Sequence, residues 1–148
     1  MIFISHRGNL NGRVVELENE PQYIDYAISK GFDVEIDVWY INGNILLGHD
    51  NPIFLVDFKW ILERNNKIWI HCKNVESVLF FKNSDIFFNY FWHQKDDITL
   101  TSKNQIWAYP GKQPIQDSIA VLPEIHNDDT SICSGICSDF VERYKLNL

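Results

Sequence analysis

The chain has 148 residues, 45% of them apolar, with ten Phe, six Tyr and five Trp, which is enough for one core and too little for two. A formal net charge of −7 and a pI near 5.1 exclude a surface that coats duplex nucleic acid, since affinity for the phosphate backbone comes from clustered Lys and Arg. No run approaches the roughly 18 uncharged apolar residues that mark a membrane span, although a small anionic ligand stays compatible because a local cation or metal reverses the field inside one pocket.

In chain order, Ile2 to Ser5 reads as a first strand rather than a signal peptide, since no basic flank precedes it and it runs directly into His6 and Arg7. A cytoplasmic protein is the expectation. Pro21 to Lys30 carries Tyr23, Ala27 and Ile28 at helical spacing, with Gly31 as the stop. From Phe32 to Tyr40 the apolar residues Phe32, Val34, Ile36 and Val38 alternate with Asp33, Glu35, Asp37 and Trp39, so one strand face carries carboxylates in a row. Asn42-Gly43 is a tight-turn signal that folds His49 back beside that strand. Pro52 to Asn65 is expected to be a helix, Lys67 to His71 a buried strand, and Val75 to Lys82 a short helix. Asp85 to Gln94, Gln105 to Tyr109, Ile119 to Leu122 and Cys133 to Cys137 read as further strands, and Phe140 to Lys145 as a last helix.

Alternation of strands and helices predicts an α/β fold with a largely parallel sheet in a single domain spanning residues 1–148. About seven or eight strands emerge on a chain well short of the roughly 200–250 residues of an ordinary eight-fold barrel, so helices in the second half must be short or absent. Cys72, Cys133 and Cys137 are an odd number and are expected to be free thiols. A shortened barrel rich in aromatic residues is expected to expose apolar surface through which two copies can pair.

Polar residues at strand ends carry the chemistry in such folds. Glu35 and Asp37, two apart on one strand, share a face and suit a hard cation such as Mg²⁺ or Ca²⁺; a buried strand would not otherwise tolerate two carboxylates. Phosphodiester cleavage needs a base and an acid, and imidazole, with an ordinary pKa of about 6.5, suits both roles, so His6 and His49 are the candidates. Arg7 offers a planar donor fork for phosphate, Lys73 a second cation, and Gly8 room for close backbone approach. His93, His126, Trp92, Trp107 and Tyr109 read as structural or packing groups.

His6-Arg7-Gly8, Glu18-Asn19, Glu35-Ile36-Asp37-Val38, Asn42-Gly43 and Leu47-Gly48-His49-Asp50 occur in an order that resembles the glycerophosphodiester phosphodiesterase family, and Ser134 to Asp139 resembles its closing strand. The resemblance implies a TIM-type (β/α) barrel, a divalent ion on Glu35 and Asp37, acid and base roles for His6 and His49, and phosphate contacts from Arg7 and Lys73. His71 stands where the family supplies a further metal carboxylate, and as an imidazole it shifts preference from Mg²⁺ or Ca²⁺ toward Mn²⁺ or Zn²⁺. The family's inserted segment after the His-Asp pair is absent, which leaves the alcohols of the substrate open. Metal-dependent hydrolysis of a small phosphodiester, glycerol-derived or linked to a sugar or nucleotide, is therefore expected; the alternative is a catalytically silent barrel that binds a phosphorylated ligand or a partner protein.

Overall fold

The computed structural model describes residues 1–146. Ten strands form one sheet: β1 (Ile2–His6), β2 (Asp33–Ile41), β3 (Asn44–Leu47), β4 (Phe54–Val56), β5 (Ile68–Cys72), β6 (Tyr90–Trp92), β7 (Ile98–Leu100), β8 (Ile106–Ala108), β9 (Ile119–Val121) and β10 (Gly135–Ser138). Four short helices accompany them: α1 (Pro21–Ser29), α2 (Phe58–Glu63), α3 (Val75–Lys82) and α4 (Val141–Leu146). Parallel pairing runs β6-β5-β2-β1-β10-β9-β8, while β3 and β4 fold back antiparallel from the far end of β2 and β7 lies antiparallel on β8.

This arrangement overturns the expectation of a TIM-type barrel. The sheet is a curled, mixed half-barrel with few helices, and regular strand-helix alternation fails beyond β6. The reason lies in chain length. A parallel crossover through a helix needs about a dozen residues or more, whereas Trp92 to Ile98 and Leu100 to Ile106 are joined by short turns, and the parallel step from Ala108 to Ile119 is made by an irregular segment without a helix. The helix expected over residues 52–65 is also corrected: its first half is the edge strand β4, whose Phe-Leu-Val composition favours a pleated half-buried surface, and only α2 is helical, opened by the Asp57 carboxylate accepting the Trp60 N–H at 2.7 Å. β7 lies where no strand was expected.

Alternation along β2 sorts the two faces. Val34, Ile36 and Val38 point to the outer layer, where Ile24, Ala27, Ile61, Phe81 and Phe88 from the helices and their connections close the larger core. Inside the curl, Ile4, Trp69, Phe91, Trp107, Ile119, Val121 and Cys137 form a second apolar floor. Strand geometry puts the next inner-facing residue two positions on. These residues are His6 after Ile4, His71 after Trp69, His93 after Phe91, Tyr109 after Trp107 and Asp139 after Cys137, so the polar layer sits on the apolar floor at the carboxyl ends of the parallel strands.

None of the helices among the described residues is long and apolar enough to cross a membrane.

Candidate metal and acid-base site

Above the floor opens a cavity of about 440 Å³, within the usual range for a small-molecule site. His6, Arg7, Glu35, His49 and His71 line it, together with Arg13, His93, Tyr109 and Asp139. Register accounts for the convergence: His6 of β1 sits opposite Glu35 of β2, and Asp37 of β2 opposite His71 of β5.

The two carboxylates of β2 differ sharply. Asp37 is fully buried and exchanges two hydrogen bonds with Asn19: the Asn19 Nδ2 donates to Oδ2 at 2.9 Å, and the Asp37 N–H donates to Asn19 Oδ1 at 2.8 Å. Arg7 Nε lies 2.9 Å from Oδ2, and Lys73 Nζ 3.6 Å from Oδ1. Burial alone would raise this carboxyl, but the close imidazole of His71 and the charges of Arg7 and Lys73 outweigh it and hold Asp37 well below the ordinary range. Glu35 is 2% exposed and has no such set of partners, so burial first, then the Asp37 charge, push its carboxyl well upward.

His71 supplies the third donor. Its Nε2 is 2.7 Å from the backbone oxygen of His93, which can only accept, so Nε2 carries a proton; Nδ1 either carries a second proton, donated to Asp37, or presents a lone pair to a cation. That Nδ1 lies 2.9 Å from Asp37 Oδ1 and 3.7 Å from Glu35 Oε1. Lone pairs facing across 2.9 Å repel unless a proton or a cation lies between them. Ligands held about 2.1 Å from one octahedral ion stand about 3 to 4.2 Å apart, and the donor atoms of Glu35, Asp37 and His71 all fall within 4.8 Å of one another. Glu35 Oε2 and Asp37 Oδ1 are also buried without an aligned hydrogen bond, a state that native structures seldom leave unexplained. The three side chains therefore fit a divalent cation, and the hydrogen bond from His71 to a backbone carbonyl is the arrangement that orients metal-bound imidazoles.

Each acid-base candidate is oriented by a carboxylate. Asp139 Oδ1 lies 2.8 Å from His6 Nδ1, leaving Nε2 directed toward Glu35 at 3.9 Å. Asp50 Oδ1 lies 2.7 Å from His49 Nδ1. Partial burial draws the His49 imidazole below its ordinary pKa despite the nearby Asp37 and Asp50 charges. The hairpin that carries His49 turns on Asn42 and Gly43, both at positive φ, and ends at Gly48, where φ is +145° and an added Cβ would stand 2.0 Å from the Asn51 oxygen. Trp39 Nε1 donates to the Gly48 oxygen at 2.7 Å and fixes that corner.

Arg7 adopts φ +56°, a conformation that costs a non-glycine residue about 1–3 kcal/mol and tends to persist at functional positions. Its N–H donates to the Glu35 oxygen at 3.0 Å and its own oxygen accepts from the Asn19 N–H at 3.1 Å. Glu18, mostly buried, accepts from Arg7 Nη1 at 3.2 Å and from Arg13 Nε at 2.8 Å, so one carboxylate steadies two guanidiniums beside the cavity. Gly8 leaves room for the Tyr23 ring, 2.6 Å from where its Cβ would be, and not for a ligand.

All seven residues expected from sequence thus gather in one region, but Lys73 and Asp37 stand behind the cavity surface, and Lys73 contacts Asp37 from there. Sequence reasoning assigned no role to Asp139, Asn19 or Arg13, and read His93 and Tyr109 as structural. Both line the cavity. Comparison with family models, with curated proteins and with solved structures gives no match.

Proposed function

We propose that the protein hydrolyses small phosphodiesters with the help of a divalent cation. The observation that carries this reading is the convergence, on one cavity, of two carboxylate-oriented imidazoles, a guanidinium and a three-donor cation cluster. Glu35, Asp37 and His71 would hold the ion, and when bound it supplies positive charge that polarises the phosphoryl oxygens. Arg7, fixed by Asp37 and Glu18, neutralises charge on the non-bridging oxygens. His49, with its proton affinity reduced, takes a proton from the attacking water as the new P–O bond forms. His6 delivers a proton to the departing alkoxide as the old P–O bond breaks, and Asp139 balances the imidazolium beforehand. The apolar floor beneath keeps the groups in a low-dielectric setting where these charges act strongly.

A second reading rests on the pairing of Asp37 with Arg7, Lys73 and Asn19, which already compensates one carboxylate without a metal and suits a catalytically silent protein holding a phosphorylated ligand. Hydrolysis of p-nitrophenyl phosphodiesters with Mg²⁺, Ca²⁺, Mn²⁺ or Zn²⁺ separates the two. Turnover that chelator and His6→Ala both abolish supports the enzyme. Absence of turnover alongside saturable phosphate binding supports the silent protein.

A further inference from the structure

The cavity has two unlike walls. β1, β2, β5 and the end of β10 bring His6, Arg7, Glu35, His71 and Asp139; β8, β9 and the segments that follow them bring Trp107, Tyr109, Pro110, Val121, Leu122 and Ile125. Two features set this second wall apart from ordinary core. Ile125 is 57% exposed although it lines the cavity, so its apolar surface lacks a protein partner. Leu122 holds φ +46° and ψ +50°, a left-handed conformation that leucine rarely adopts, and its N–H is tied to the Cys137 oxygen at 2.7 Å. Because Leu122 turns the chain at the end of β9, it also carries Ile125, one short turn later, to the mouth of the same cavity. Strain of this kind is retained where the resulting surface is used.

Resting on the phosphodiester reading of the charged wall, we propose that the apolar wall selects the alcohol: the substrate is a phosphodiester bearing a hydrocarbon group, an alkyl chain or an aryl ring, in preference to a polyhydroxylated one such as glycerol or a sugar. Glycerol hydroxyls laid against Pro110, Leu122 and Ile125 would lose water without gaining partners, whereas a hydrocarbon gains by burying its surface there. The single phosphate charge meets the opposite wall, and a cavity of about 440 Å³ takes a diester of this size.

The test is calorimetric titration of the Mn²⁺-loaded protein with dimethyl, methyl butyl, methyl phenyl and methyl 2,3-dihydroxypropyl phosphate. The butyl ester should bind about tenfold or more tightly than the dimethyl ester, since each fully buried methylene contributes about fourfold, and the dihydroxypropyl ester should gain nothing. A phenyl ester tighter than the butyl ester would assign the wall to rings, and the reverse to chains. Ile125→Ser and, separately, Leu122→Asn, which retains a residue tolerant of the left-handed conformation, should bring the butyl-to-methyl ratio toward one. That ratio is insensitive to partial misfolding, and the Ile125 variant excludes binding in the separate apolar groove lined by Ile45, Leu55, Leu79 and Phe80. Equal affinity for all four esters overturns the proposal and leaves the phosphodiester reading standing; binding of none overturns both.

Discussion

Nδ1 of His6 and Oδ1 of Asp139 are 2.8 Å apart, although the two residues lie at opposite ends of the chain. The contact exists because β1 and β10 are parallel neighbours in register, Ser5 opposite Ser138, so the next residue along each chain, His6 or Asp139, projects from the same edge. Asp139 is held further by Asn9 Nδ2, which donates to the same oxygen at 2.8 Å. Burial would raise the Asp139 carboxyl, but the His6 contact and the Asn9 hydrogen bond outweigh it and keep it ionised.

Asp139→Asn keeps the shape and removes the charge that balances a protonated His6. We expect kcat on a p-nitrophenyl phosphodiester to fall about 10²-fold or more with KM changed little, the pattern of a lost transition-state interaction. Unchanged kcat in a folded variant would remove His6 from the acid-base role.

Metal binding should carry a signature of its own. Burial and the Asp37 charge raise the Glu35 carboxyl, so it holds its proton to higher pH than an ordinary carboxyl and a cation competes with that proton. Affinity should therefore rise with pH until Glu35 is ionised without help. Titration of Mn²⁺ in two buffers of different ionisation enthalpy should report release of up to about one proton. His71→Glu, which replaces the borderline imidazole by a hard oxygen donor, should strengthen Mg²⁺ and Ca²⁺ relative to Zn²⁺; an unchanged order would remove His71 from the coordination shell.

How much of this was legible beforehand follows strand parity. In β2 the alternation of Val34, Ile36 and Val38 with Glu35 and Asp37 is visible in sequence, and so is the Asn42-Gly43 turn that returns His49. Asp139 obeys the same rule, two positions beyond the floor residue Cys137, but its significance depends on knowing that β10 lies beside β1, and no local pattern reveals a pairing between the chain's two ends. His93 was hidden differently: Phe91 and Trp92 are both aromatic, so the strand reads as hydrophobic throughout and the inward face cannot be identified. The scarcity of helices in the second half was foreseeable from chain length, whereas the closed barrel, which the resemblance implied, is not formed: pairing stops at β6 on one side and at β7 on the other, and no local pattern in the sequence shows that these edges fail to join.

The cysteines give a simple check on the core. Burial pushes the Cys72 thiol up to about 12, and Cys137, buried in the floor, also lies well above the ordinary thiol range. Since the thiolate is the reacting species, both should react slowly with a disulfide reagent in the native protein, and three equivalents should appear at once in guanidinium. Rapid native labelling of Cys137 would contradict the closed floor beneath the cavity.

Glu35 and Asp37 should respond oppositely to removal of charge in the metal-free protein. Glu35 has a folded pKa above its unfolded value, so its contribution to stability is full below the unfolded value of about 4.5 and is lost as pH rises through the raised one. Glu35→Gln, which mimics the protonated form, should therefore raise the thermal midpoint at pH 8 by a few degrees. Asp37 has a depressed folded pKa, so its contribution is present above the unfolded value of about 3.8 and is lost as pH falls. Asp37→Ala at pH 8 leaves Arg7 buried and strips Lys73 of its partner, and should cost about 3–5 kcal/mol. Thermal melts of both variants across pH 5 to 9, in chelator, decide the matter: a Glu35→Gln variant less stable than the parent at pH 8 would mean that the buried carboxylate is paid for by neighbours and does not await a cation.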